Sequence, residues 1–143
     1  MPTPCRSHLS PAVTFKTTLA VMAGGAVGTG LRLALSTWFD SRFGVSFPVG
    51  TLFVNVTGCF IIGLFAGLTA PSGFLQISPI TSQTIIIGVL GGYTTFSSFG
   101  LQTHRLLLDG RSLHAMLNIL SSIALCLLAV WLGQLLASLF PTR

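Results

Sequence analysis

Four apolar stretches, each long enough to cross a lipid bilayer, constrain what this chain can fold into. They lie at residues 17–39, 49–70, 84–108 and 113–139. Because about 20 apolar residues cross the hydrocarbon core as a helix, each stretch predicts one transmembrane helix. Only 6% of the residues are charged, against roughly a quarter in a soluble domain. The sequence therefore predicts an all-α membrane protein with one four-helix transmembrane domain at 17–139 and short tails at 1–16 and 140–143.

The third apolar stretch is interrupted at its centre by residues 91–100, which read GGYTTFSSFG. Glycine weakens a helix, and serine and threonine compete for its backbone hydrogen bonds. In lipid, freed backbone groups cost several kcal/mol each unless they face protein, water or an ion. The segment therefore predicts a third helix that is broken at mid-membrane to make a polar site.

A few other small or polar residues stand out within the apolar stretches. Asn55, in the second, is equally compatible with interhelical packing and with function. Asn118 and Ser122 are separated by one helical turn and share a face of the fourth; the rest of that stretch, Leu127 included, is interpreted as plain membrane anchor. Pairs of glycines at helical spacing predict close helix packing: Gly24/Gly28, Gly63/Gly67 and Gly88/Gly92.

The charged residues exclude several classes of function. The only acids, Asp40 and Asp109, fall in predicted turns at 40–44 and 109–111, so no carboxylate pair is available for acid–base catalysis or proton transfer. An enzyme is not expected. The net charge of +5 comes from scattered basic residues, which favours anionic lipid headgroups over nucleic acid. The three cysteines are odd in number and are interpreted as packing residues.

Lys and Arg are divided almost equally between the two ends of the predicted helices. One end carries Arg6, Lys16 and Arg143, and the other Arg42, Arg105 and Arg111, with Arg32 as a further candidate. The positive-inside rule then gives almost no orientation signal. The chain is predicted to insert both ways and to form an antiparallel pair, although one orientation selected by weak cues is the alternative.

These features together resemble the Fluc (CrcB) family of fluoride channels over nearly the whole chain. The motifs that carry the resemblance are Gly24-Gly25-Ala26 with Gly28 and Arg32, then residues 47–58 with Pro48, Gly50 and Asn55, and the segment 91–99. The third motif is the most specific. One departure is Gln102, which stands where the family usually has Glu, so a role that rests on a negative charge there is in doubt.

The resemblance implies a dual-topology antiparallel homodimer in the bacterial inner membrane that lets fluoride leave the cell passively. It implies a structural sodium ion at the dimer centre, held by the main-chain carbonyls of Gly91 and Thr94. Asn55, Phe96 and Phe99 match pore residues, and Arg32 matches a basic residue near the pore entrance. The polar track would be completed by Ser97, Ser98, Asn118 and Ser122.

Two other classes of function compete with the channel. A small dual-topology multidrug exporter needs an acid within its first membrane helix, and none occurs here. A non-transporting assembly subunit would leave the broken third helix unexplained. On spacing alone, Phe96 and Phe99 would be core or lipid-facing aromatics; only the resemblance favours a pore role.

Overall fold

The computed structural model describes residues 14–141. In this part of the chain every regular element is a helix, and turns and loops connect the helices. Four helical spans are long and apolar enough to cross a membrane: Phe15–Phe43, Val49–Leu68, Pro79–Leu108 and Ser112–Ala137. The prediction of four membrane helices is therefore confirmed. Residues 1–13 and 142–143, which belong to the predicted tails, lie outside the described residues.

The first span is one continuous helix, α1 (Phe15–Phe43). The side chain of Thr14 caps its start by accepting a hydrogen bond from the Thr17 amide at 3.2 Å. The predicted turn at 40–44 is wrong in extent, because α1 runs through most of it. Polar side chains at a membrane surface do not interrupt a helix, whereas Gly44 ends it by adopting a φ of 74°.

The second and fourth spans are also single helices, α2 (Val49–Leu68) and α6 (Ser112–Ala137). Pro48 lies immediately before α2, as expected of a residue that lacks an amide hydrogen. The predicted turn at 109–111 is confirmed, and Gly110 has a φ of 71° there.

The third span consists of four helical pieces. They are α3 (Pro79–Gln83), a π-helical segment (Thr84–Leu90), the single turn α4 (Gly91–Tyr93) and α5 (Phe96–Leu108). The predicted loop at 71–83 is too long, because α3 already begins at Pro79. Ser78 starts it by accepting a hydrogen bond from the Thr81 amide at 3.1 Å.

Glycines bring α2 and α6 into close contact. A Cβ atom at Gly63 would collide with the Val130 carbonyl, and a Cβ atom at Gly133 would collide with the Phe60 carbonyl. Small residues at a helix crossing let two backbones approach within van der Waals distance, which is the main attraction between helices in lipid. These contacts fix α2 against α6.

A second set of glycines holds α1 against the third span. A Cβ atom at Gly24 would lie 2.8 Å from the Thr84 carbonyl oxygen, and one at Gly88 would lie 2.7 Å from that of Val21. The predicted role in close packing is confirmed for every member of the three glycine pairs: Gly24, Gly28, Gly63, Gly67, Gly88 and Gly92.

Candidate ion pathway

The third span is broken at Thr94 and Thr95, one turn after the two glycines. Thr94 (φ −80°, ψ 158°) and Thr95 (φ −151°, ψ 116°) are both extended. Gly91 itself is helical, with φ −66° and ψ −35°. The break that was predicted for residues 91–100 is therefore present, and the threonines make it. Gly92 instead permits close packing, because a Cβ atom there would lie 2.6 Å from the Gly25 carbonyl oxygen.

The side chain of Asn55 replaces a backbone partner at this break. Its Nδ2 donates to the Thr95 carbonyl at 3.0 Å, and its Oδ1 accepts from the Thr95 amide at 2.7 Å. Both backbone groups of Thr95 are thereby satisfied within the membrane span, where a group that reaches neither protein nor water would cost several kcal/mol. One of the two Nδ2 hydrogens remains for another acceptor.

Thr95 also starts the second half of the broken helix. Its Oγ1 accepts a hydrogen bond from the Ser98 amide at 3.2 Å, as an N-cap residue does. The same hydroxyl bonds the Ser98 hydroxyl at 3.1 Å and shares a hydrogen bond with the Ser97 hydroxyl at 3.2 Å. Three hydroxyl groups thus cluster at the beginning of α5; Thr95 donates its hydrogen to Ser98, so the Ser98 hydroxyl hydrogen remains as a potential donor to an anion.

The break redirects the amides that a continuous helix would use to bond Gly91 and Thr94. In such a helix the Thr95 amide would bond the Gly91 carbonyl, and the Ser98 amide would bond that of Thr94. Here the Thr95 amide bonds Asn55 and the Ser98 amide bonds the Thr95 hydroxyl. The two carbonyls predicted as sodium ligands are therefore released from these helical partners. Gly91 is exposed on the surface of the chain.

Two further hydrogen bonds tie the first half of the span to its neighbours. The Tyr93 hydroxyl bonds the Thr57 hydroxyl of α2 at 2.9 Å. The Thr29 hydroxyl of α1 donates to the Gly92 carbonyl at 3.4 Å. The break is thus held from both sides by polar contacts that sequence spacing alone does not indicate.

An apolar cavity of about 320 Å³ opens beside the break. We call it the break cavity, and its lining consists of Asn55, Cys59, Thr95, Phe96, Phe99, Ser122, Ile123, Cys126 and Leu127. The rings of Phe96 and Phe99 lie 5.3 Å apart between centroids and are tilted by 48°. Four predicted site residues therefore meet here, from α2, α5 and α6. Leu127, interpreted as plain anchor, also lines this cavity, and its side chain is 67% exposed.

A second, polar cavity of about 390 Å³ also has Thr95 in its lining. The predicted residues Arg32, Ser97 and Ser98 line it, together with Thr29, Leu33, Ser36, Asp40, Thr51, Thr95 and Gln102. Thr95 borders both cavities. A path from the polar cavity to the break cavity would therefore pass the peptide group that Asn55 holds.

A third cavity of about 330 Å³ continues the polar cavity toward the turns. Asp40 and Gln102 belong to both, and the third cavity adds Arg105, Asp109 and Arg111. Together the two cavities are lined by three arginines and two aspartates, so the formal net charge of their lining is +1. This outer region therefore favours anions without placing a cationic side chain at the break.

Asn118 and Gln102 are placed outside the break cavity. Asn118 is 2% exposed, and its Nδ2 donates to the Thr103 hydroxyl at 2.8 Å, which joins α6 to α5. Ser122 lies one turn further along α6 and does line the break cavity. Among the described residues, the Gln102 Oε1 atom is buried without a hydrogen-bond partner, at the junction of the two polar cavities.

Sequence reasoning missed two features of this site. The N-cap role of Thr95 could have been predicted from the local sequence, because a threonine hydroxyl can accept a hydrogen bond from the backbone amide three residues later, here that of Ser98. Cys59 and Cys126 were interpreted as packing residues, yet both line the break cavity. Cys126 follows Ser122 and Asn118 at four-residue intervals, a helical spacing that places all three on one face.

Fold and site together define a multi-pass helical membrane protein whose third span is broken beside a cavity. A sequence model of the family described as "CrcB-like protein, Camphor Resistance (CrcB)" matches residues 19–134. The chain belongs to this family.

Curated relatives from several bacteria share the name "Fluoride-specific ion channel FluC". The chain is 50% identical over 119 residues to "Fluoride-specific ion channel FluC" of Opitutus terrae, covering 83% of this chain and 90% of the relative. It is 48% identical over 118 residues to the protein of that name in Rhodospirillum rubrum, with 82% and 92% coverage. A third, in Methylobacterium radiotolerans, is 44% identical over 126 residues, with 88% and 87% coverage. The names of these relatives therefore describe the family as ion channels and not as enzymes.

Proposed function

We propose that this protein is a passive channel for fluoride. The observation that carries the proposal is the meeting of Asn55, Phe96, Phe99 and Ser122 in one cavity beside the helix break. The curated relatives named as fluoride-specific channels support the same conclusion. The path runs through the polar cavity, past Thr95 and into the break cavity.

The chemistry of these groups suits a small and strongly hydrated anion. Such an ion enters a pore only where hydrogen-bond donors replace its water, and amide and hydroxyl groups are donors. The rim of a phenylalanine ring carries a partial positive charge and can face an anion. The lining at the break is neutral, which favours conduction, because binding that is too strong would prevent release. Arg32 and the hydroxyls of Ser97 and Ser98 attract the ion from outside, and Asn118 extends the polar face of α6 beyond Ser122.

The proposal includes an antiparallel homodimer with both orientations in one membrane. Phe96 is 83% exposed in the single chain, so a pore-lining role for it requires a covering surface, which a second copy supplies. The near-equal distribution of Lys and Arg supports insertion both ways. Two copies related by an axis in the membrane plane would bring the exposed Gly91 of each to the centre.

A structural sodium ion completes the proposed dimer. Main-chain carbonyl oxygens are suitable ligands for a hard monovalent cation, and Gly91 and Thr94 would provide two from each copy. The redirected Thr95 and Ser98 amides support this fit, because neither carbonyl is bonded by the amide that a continuous helix would supply. Within residues 14–141, no cluster of three acidic, His or Cys side chains offers a competing metal site. The ion would link the two broken helices.

In the cell, we place the channel in the bacterial inner membrane, where it would export fluoride. Hydrogen fluoride enters from acidic surroundings as a neutral molecule and dissociates in the cytoplasm, so an anion leak lowers the internal concentration. Asp40 and Asp109 lie at the outer cavity and not within a span centre, which disfavours a multidrug exporter driven by a membrane acid.

Efflux from proteoliposomes tests this function. Purified protein is reconstituted with potassium fluoride inside, and valinomycin is added to start anion loss. We expect rapid fluoride efflux and, in a parallel preparation, no chloride efflux above that of empty liposomes. Equal rates for the two anions would contradict fluoride selectivity, and the absence of any anion efflux would contradict the channel.

A further inference from the structure

Two cysteine thiols meet on the wall of the break cavity. Cys59 of α2 and Cys126 of α6 are neighbouring side chains on two helices that pack together. Both are free thiols, both are half-buried, and both line the cavity beside Asn55, Phe96 and Phe99. The pair therefore faces the space through which the ion is proposed to pass.

A close contact between α2 and α6 keeps the backbones that carry these thiols near each other. Gly63 and Val130, whose backbones touch, follow Cys59 and Cys126 by one helical turn each. Because the helices approach this closely just beyond the pair, the two backbones cannot move apart at the cysteines without separating the helices.

Two sulfur ligands without a third define the kind of metal ion that fits. Thiolates are soft ligands and select soft metal ions. Zinc sites need four ligands, or three with an open position, and no group of three His, Cys, Asp or Glu side chains occurs among the described residues. A soft ion that accepts linear two-coordinate geometry, such as Hg²⁺, needs only two sulfurs. We propose that Cys59 and Cys126 form a binding site for a soft divalent metal ion, and that its occupation blocks the fluoride path.

Charge and proton balance favour a divalent ion over a monovalent one. Two S–H bonds break, two S–metal bonds form, and two protons leave for water, while HgCl₂ releases both chlorides. The product, two thiolates on a 2+ ion, is neutral. A neutral complex avoids the cost of a net charge in an apolar cavity, whereas a monovalent ion would leave one negative charge there.

The block rests on the proposed fluoride path, but metal binding does not. An ion held between the thiols would lie beside Asn55, Phe96 and Ser122 and occupy the cavity. Each property therefore has its own measurement. Cys5 would bind mercury independently, so the test uses Cys5→Ser as the parent protein.

Titration of the reduced, purified parent with HgCl₂ tests the site. We expect one Hg²⁺ per chain with two protons released, measured in weakly buffered solution. Cys59→Ser and Cys126→Ser should each release one proton and bind about 10²- to 10⁴-fold more weakly, since the second sulfur supplies the effective concentration gained by chelation. Equal affinity in the parent and in both single variants would overturn the paired site.

Fluoride efflux with and without HgCl₂ tests the block, and each variant is compared with its own untreated rate. We expect the treated parent to lose more than nine-tenths of its flux, and excess dithiol to restore it. The double variant Cys59→Ser/Cys126→Ser should keep its untreated rate in HgCl₂. Unchanged flux in a parent with one bound Hg²⁺ would overturn the block alone. A parent that never conducts fluoride would contradict the proposed function and also the block, while the titration would still decide the site.

Discussion

Asn55 and Thr95, which are 40 residues apart in the chain, are joined by two reciprocal hydrogen bonds of 2.7 and 3.0 Å. The Asn55 carboxamide bonds both the N–H and the C=O of Thr95, which have no helical partners at the break in the third span. Thr95 also lines both the polar cavity and the break cavity, and Asn55 lines the break cavity. Structure and conduction should therefore depend on the same side chain.

Replacing Asn55 with aspartate should impair both properties. The carboxylate can still accept from the Thr95 amide, but it cannot donate to the Thr95 carbonyl, and an unpaired buried group costs about 1–3 kcal/mol. Its negative charge would also repel the anion by several kcal/mol in a low-dielectric pore. We expect fluoride efflux to fall at least about a hundredfold, with a lower thermal midpoint for the detergent-solubilised protein.

Leu128→Met is the matched control for this variant, because Leu128 lies on the outer surface of α6 and is 48% exposed. It should change stability by less than about 1.5 kcal/mol and leave efflux at the parent rate. Parent-like efflux from the Asn55→Asp variant would show that the ion passes elsewhere.

Phe96→Ile and Phe99→Ile test the role of the ring edges. Isoleucine keeps an apolar side chain but removes the positive rim that faces an anion. Each variant should lower fluoride efflux by about tenfold or more, equivalent to at least about 1.4 kcal/mol in the barrier. The elution volume on gel filtration should be unchanged. Two variants that conduct like the parent would reduce both rings to packing residues.

Both orientations should coexist in one membrane if the antiparallel dimer is correct. A tag at the C-terminus should be labelled by a membrane-impermeant reagent from either side of the membrane, in intact cells and in inverted vesicles. A control with several lysines added next to the tag should be labelled from one side only, because positive charges fix orientation. One-sided labelling of the parent would exclude the antiparallel arrangement.

Removal of sodium should abolish conduction without a change in sequence. If Gly91 and Thr94 carbonyls hold the ion between two copies, prolonged exchange into a large organic cation should stop fluoride efflux. Readdition of sodium should restore it, while a sodium gradient of either sign should leave the rate unaffected, since the ion is structural. Full efflux after exhaustive exchange would remove sodium from the mechanism.

The sequence predicted the parts of this fold that depend on local chemistry. Four apolar stretches gave four spans, the glycine pairs marked the close crossings, and Pro48 preceded α2. The helix ends were less accurate, because a polar segment such as 40–44 can remain helical until a residue with positive φ, here Gly44, ends it.

The site was less predictable because its contacts connect distant residues. Nothing near Asn55 shows that its partner is Thr95, and nothing near Cys59 shows that Cys126 lies beside it. The break was predicted in the correct segment, but the sequence did not indicate that Thr94 and Thr95, and not the glycines, have the extended backbone. Glycine there permits close packing, while the extended backbone at 94–95 is stabilised by Asn55 from another helix.

A passive fluoride channel is tested most directly by the reversal potential of its current in a planar bilayer. Opposing gradients of fluoride and of pH are imposed across the membrane, with chloride equal on both sides. We predict that the reversal potential follows the fluoride gradient and does not move when the pH gradient is changed, because no acid lines the break cavity. A reversal potential that follows the pH or chloride gradient would contradict a passive, fluoride-selective channel.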